Sequence, residues 1–136
     1  MSKSIPTIQK YMTTAPHSIG KDQTLAAAEK LMSKHGIRHL PVLDGGKLVG
    51  IISDRDVKFL ETFKDVDATK VTLDSMYVEK VFTVEPDALL DDVCDVMAEH
   101  KYGSAVVISN DKLVGIFTWV DALRAMSDLL KTRLSK

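Results

Sequence analysis

The chain is written twice. Lys47-Leu48-Val49-Gly50-Ile51 returns 65 positions later as Lys112-Leu113-Val114-Gly115-Ile116. The same spacing, without a gap, relates Asp22 to Asp87, Leu25 to Leu90, Met32 to Met97 and His35 to His100. It then relates Val42 to Val107, Ser53 to Thr118 and Asp56 to Asp121. One shared pentapeptide could arise by chance; a register held from Asp22 to Asp56 is a duplication, and it governs every later reading. Half of a 136-residue chain would bury little surface, since domains of about 60 residues are marginal. The two copies are therefore expected to share a core, packed sheet against sheet about a pseudo-twofold axis. The expected organisation is a first repeat with an N-terminal extension over 1–63, a polar connection over 64–74, and a second repeat with a C-terminal helix over 75–136.

Each copy has one layout. Ser18-Ile19 and Thr83-Val84 are short extended segments followed by turn signals. Leu25, Ala28, Leu31 and Met32 then share a helical face, as do Leu90, Val93 and Met97. Asp22 or Thr24, and Asp87, are the N-cap candidates; Gly36 stops the first helix, and His35 and His100 lie near the negative end of a helix dipole. Leu40–Leu43 and Leu48–Ile52 are strands joined by Asp44-Gly45-Gly46, a hairpin signal, with Ser109-Asn110-Asp111 in the same place later. A helix closes each unit, from about Arg55 to Phe63 and from Val120 to Leu130 or beyond. The class is α/β of the α+β type, two β-α-β-β-α repeats.

Charge and composition exclude several functions. The chain carries 18 basic and 19 acidic side chains, net −1; no duplex nucleic acid partner is expected from that balance. Its apolar runs are a few residues long, against roughly 20 for a bilayer span, and no apolar stretch follows Lys3, so a cytoplasmic protein without a membrane partner is expected. Cys94 is alone and lies four residues after Leu90 on a helical pattern, which suits core packing better than a nucleophile. His17, His35, His39 and His100 lack metal-ligand spacing, so no metal is expected. Gly45-Gly46-Lys47 lacks the rest of a phosphate loop and reads as the hairpin turn.

Two motifs remain. Gly36-Ile37-Arg38-His39-Leu40-Pro41-Val42 precedes the first hairpin and Gly50-Ile51-Ile52-Ser53-Asp54-Arg55-Asp56 follows it. The second copy carries Gly115-Ile116-Phe117-Thr118-Trp119-Val120-Asp121. Gly50 and Gly115 lie inside strands, where a missing side chain admits a close approach by backbone or ligand. Ser53 and Thr118 fall where strand becomes helix, with an aspartate one turn on. That arrangement serves as an N-cap with a first-turn acid. It also serves as an anion site, a hydroxyl beside free helix N–H groups. Both readings stay open on these four residues.

From about Met12 to Leu123 this order and these motifs resemble a pair of CBS domains, the Bateman module. The resemblance implies a regulatory module without a catalytic centre, sensing an adenosine ligand such as AMP, ADP, ATP, NAD or S-adenosylmethionine. It implies that Asp56 and Asp121 hold ribose hydroxyls with Ser53 and Thr118 alongside. Arg38 and His39 would meet phosphate, Arg38 through its forked donors, with Pro41 in the same cleft. Their counterparts are Gly103 and Ser104, so two clefts of unequal quality are expected. The resemblance further places Lys80, Val81 and Phe82 beside the cleft of Asp56, and Ala15, Pro16 and His17 beside that of Asp121. It implies a homodimer through apolar helix faces containing Met97, Leu123, Met126, Leu129 and Leu130, and an effector protein of unknown identity. Trp119 has three open readings: a cover for adenine, a subunit contact, or core. The competing classes are a structural oligomerisation module without ligand, and an enzyme, for which the chain shows no nucleophile–base constellation.

Overall fold

Local signals start and stop the elements, and the duplication extends to their irregularities. The computed structural model describes residues 4–74, 76–77 and 80–134. After a 3-10 turn at Ile8–Lys10, the elements run β1 (Thr13–Thr14), β2 (Ile19–Gly20), α1 (Leu25–His35), β3 (His39–Asp44), β4 (Lys47–Ser53) and α2 (Asp54–Leu60). They continue β5 (Thr83–Val84), α3 (Leu90–His100), β6 (Ser104–Ser109), β7 (Lys112–Thr118) and α4 (Trp119–Arg133). Four helices and two sheets make the class mixed α/β. The hairpin turns use left-handed residues in pairs, Gly45 and Gly46 in one and Asn110 and Asp111 in the other, as the twist of the flanking strands requires. Both hairpins carry a register shift at equivalent places, between Val42 and Leu43 and between Val107 and Ile108.

Helix termini decide one sequence expectation and correct two. Thr24, not Asp22, caps α1, accepting from the Ala27 N–H at 3.1 Å. Asp87 does not cap α3; Leu89 holds that position and offers no side-chain acceptor. Asp87 lies two residues before that position, and at the α3 start the Leu90 N–H donates to the Pro6 carbonyl at 2.9 Å. Gly36 ends α1 at φ 61° as expected. Lys101 ends α3 in the same left-handed state (φ 59°) at a cost of roughly 1 kcal/mol for a residue with a Cβ. The first closing helix is shorter than its pattern suggested, stopping at Leu60.

The chain forms two units. One runs from His17 to Val81; the other joins the segment ending at Pro16 to the segment beginning at Phe82. In the first, β3 lies between parallel β2 and antiparallel β4. Its core is built by Leu25, Met32, Leu40, Val42, Ile52 and Val57 together with Leu73, all at most 2% exposed. Leu73 lies in the polar stretch 64–74. That stretch docks on the start of α1, where the Leu25 and Ala26 N–H groups donate to the Val71 and Ala68 carbonyls at 2.9 and 2.8 Å.

The second unit repeats this arrangement. Its sheet runs β1-β7-β6-β5, and its core holds Ile8, Val93, Met97, Val107, Phe117 and Ala125. Ile8 is fully buried. Thr7 bridges Leu89 here as Thr72 bridges Thr24 in the first unit, and both pairs obey the 65-residue spacing. Each unit therefore completes its core with the leading segment of the other repeat. Among the described residues, no helix is long and apolar enough to cross a membrane.

Candidate functional site

Antiparallel pairing brings the two halves of each motif together. In the His17–Val81 unit, His39 stands opposite Ser53 across β3 and β4, and the Asp54 N–H donates to the Arg38 carbonyl at 2.8 Å. Ser53 and Asp56 form a reciprocal capping box. The Asp56 N–H donates to Ser53 Oγ at 3.1 Å, and the Ser53 N–H donates to Asp56 Oδ2 at 3.0 Å. The capping reading is thus realised, and it engages one carboxylate oxygen. Among the described residues nothing donates to Asp56 Oδ1.

Charge at this site is concentrated on Arg38. The guanidinium is exposed and makes no ion pair among the described residues. His39 is half-buried, and its burial lowers its pKa from the ordinary value of 6.5; Asp56 opposes that shift and Arg38 adds to it. His39 is therefore neutral at pH 7, a hydrogen-bonding group beside a fixed positive charge. Pro41 is buried in the strand behind them. Lys80 is exposed and Val81 half-buried in the same unit; among the described residues neither hydrogen-bonds nor ion-pairs with Arg38, Ser53 or Asp56. His17 is exposed and stacks on His35, ring centroids 3.6 Å apart.

The second unit repeats the backbone and changes the chemistry. Ser104 stands opposite Thr118, and the Trp119 N–H donates to the Gly103 carbonyl at 3.3 Å. Asp121 is 6% exposed. Its Oδ2 accepts from the Thr118 N–H at 2.9 Å and from the Thr118 hydroxyl at 3.3 Å. The Thr13 hydroxyl reaches Oδ1 at 3.2 Å and Oδ2 at 3.4 Å. Thr13 is the Asp121 contact that motif reading missed, because it lies 108 positions away; its place just before Ala15 and Pro16 was the sole clue.

Ala15 is exposed, left-handed (φ 47°), and donates its N–H to the Val114 carbonyl at 3.4 Å. Pro16 is half-buried in this unit. Phe82 also belongs here; its carbonyl accepts from the Val106 N–H at 2.9 Å, and its ring lies 5.4 Å from that of Tyr102. The close approach anticipated at Gly115 is made by protein. A Cβ there would sit 2.5 Å from Met12 Sδ.

Other reactive groups are subdued. Cys94 is half-buried against the core of its unit, and burial, with Asp95 and Asp91, pushes its thiol pKa up, which disfavours a nucleophilic thiolate. Among the described residues, no cluster of three or more histidine, cysteine or acidic side chains could hold a metal ion. Trp119 is 47% exposed at the start of α4 and so is not core. Met97 is buried, whereas Trp119, Leu123, Met126 and Leu130 form one exposed stripe along α4.

Comparison with known proteins agrees with this architecture. The CBS-domain family model matches twice, over residues 8–60 and 74–128. Hypoxic response protein 1 of Mycobacterium tuberculosis is 29% identical over 123 residues, which are 90% of this chain and 86% of that protein. A crystal structure bearing the name acetoin utilization protein (AcuB), from Vibrio cholerae, is 32% identical with a TM-score of 0.86, covering 96% of each chain. The CBS domain pair of protein MJ0100, crystallised with 5′-methylthioadenosine and S-adenosyl-L-methionine, is 28% identical with a TM-score of 0.80, covering 92% of this chain and 98% of that one. With both repeats matched and the motifs in place at the ends of β4 and β7, the chain belongs to the CBS-domain family, as a tandem pair.

Proposed function

We propose that the chain is a regulatory module of the cytoplasm that binds an adenosine-containing ligand and passes a change of conformation to a partner protein, with no catalysis of its own. The carrying observation is the convergence of Arg38, His39, Ser53 and Asp56 on one end of the β3–β4 hairpin. Arg38 supplies an exposed planar cation suited to phosphate. Asp56 supplies a carboxylate oxygen suited to a ribose hydroxyl, and neutral His39 can donate or accept. The bound MJ0100 pair, with two adenosine compounds, supports this ligand class. Candidate ligands are AMP, ADP, ATP, NAD and S-adenosylmethionine. Lys80 and Val81 for this site, and Ala15, Pro16, Gly103, Ser104 and Thr118 for the second, belong to the proposal; Phe82 and His17 do not, since each falls in the other unit. Regulation requires the ligand to prefer one of two states, since equal affinity for both would shift nothing.

Titration with each of the five compounds tests the reading. One of them is expected to bind saturably and to raise the melting temperature; at about 100 times its dissociation constant it adds roughly 2.7 kcal/mol if it binds only the folded state. Unchanged melting and calorimetry for all five at millimolar concentration would reject it.

The α4 stripe supports one further expectation. Met126 is 59% exposed and Leu123 and Leu130 more than half so, an apolar face suited to the same face of a second copy. Light scattering is expected to give twice the mass of one chain, and Met126→Asp is expected to halve it. A monomer across a wide concentration range would refute the dimer.

A further inference from the structure

We propose that Thr13 is a latch on Asp121, its hydroxyl occupying the place a ligand hydroxyl would take, so that the second motif binds an adenosine ligand only when Thr13 lets go. This rests on reading the motif aspartates as ribose-binding groups. Three observations carry it.

Asp121 is buried and already supplied with donors. A carboxylate must lie open on the edge between its two oxygens to receive a vicinal diol, one hydroxyl to each. On Asp121 the Thr13 hydroxyl lies within 3.2 and 3.4 Å of both oxygens, across that edge. Oδ1 has no other donor among the described residues.

Thr13 is delivered by built structure. It stands on β1, paired with β7 at Thr13–Ile116 and Thr14–Gly115. The preceding residue, Met12, fills the notch left by Gly115. Strand pairing and side-chain packing thus set the position of the hydroxyl.

The contact is suited to exchange. Its lengths exceed the usual 2.5–3.0 Å of an O–H···O bond, and Thr13 itself is exposed while its acceptor is buried. A secondary hydroxyl of a ligand is chemically close to the hydroxyl it would displace. Replacement therefore returns little for a first ligand hydroxyl, and the second motif is held weak. Remove the Thr13 hydroxyl, and a buried carboxylate oxygen is left wanting a donor.

Calorimetric titration with AMP and with S-adenosylmethionine tests the latch, using Asp56→Ala as the background so that only the second motif is read. Thr13→Ala is expected to raise affinity there at least tenfold, and Thr13→Ser to keep the background value. Adding Asp121→Ala to Thr13→Ala is expected to abolish the gain. Because Thr13 is exposed, its substitutions leave the core intact, which a melting curve verifies. If Thr13→Ala gains nothing, or if the latched protein already binds tightly through Asp121, the latch is wrong. Binding that depends on Asp56 but gains nothing from Thr13→Ala rejects the latch and keeps the proposed function. Binding that depends only on Asp121, after Thr13→Ala, keeps the latch and rejects the role of Asp56. No binding by any variant rejects both.

Discussion

Replacing Asp56 with alanine is expected to weaken adenosine-ligand binding tenfold or more while the protein stays folded. The carboxylate presents an oxygen with no donor among the described residues, and it acts on His39, which the Arg38 charge also reaches. A charge-assisted hydrogen bond there is worth about 1.5–3 kcal/mol, and tenfold corresponds to about 1.4. The same substitution breaks the capping box with Ser53, at roughly 0.5–2 kcal/mol of stability. Asp121→Ala should show the opposite balance. Its carboxylate is buried and accepts from Thr13 and Thr118, so its loss should cost more stability and less ligand affinity than Asp56→Ala. Melting curves and calorimetry on both variants read the crossed pattern. Equal or reversed losses of affinity would overturn the ranking of the two motifs.

Leu73→Ala is expected to destabilise the protein by about 2–5 kcal/mol, the range for deleting a buried leucine side chain. Composition makes 64–74 look like a spacer, and substitutions in a spacer should fall within about 0.5 kcal/mol. Leu73 is instead fully buried with Leu25, Met32 and Ile52, and its N–H donates to the Gln23 carbonyl at 2.9 Å. Lys70→Ala, at an exposed position of the same stretch, serves as the comparison. Chemical denaturation of both variants measures the difference, and similar midpoints for the two would refute the role assigned to Leu73.

The repeat, the hairpins, the helix stop at Gly36 and the placement of Ser53, Asp56, Thr118 and Asp121 after strands were legible from the sequence. They rest on spacing, on turn chemistry and on residues a few positions apart. Even the capping alternative was legible, because Ser53 and Asp56 are three residues apart and meet within one turn. What only tertiary structure decided involves partners far along the chain. The N-termini of α1 and α3 receive distant carbonyls, from Val71 and Ala68 and from Pro6, and Leu89 rather than Asp87 takes the N-cap position of α3. Leu73 and Ile8 enter cores to which their own flanks gave no clue. The pKa of His39 is lowered by the packing around it. Asp121, which matches Asp56 in its spacing from the preceding hydroxyl residue, is set apart by a threonine 108 residues away. Local pattern fixes which backbone groups and side chains a short segment can satisfy by itself; it carries no record of which distant segment will arrive to satisfy the rest.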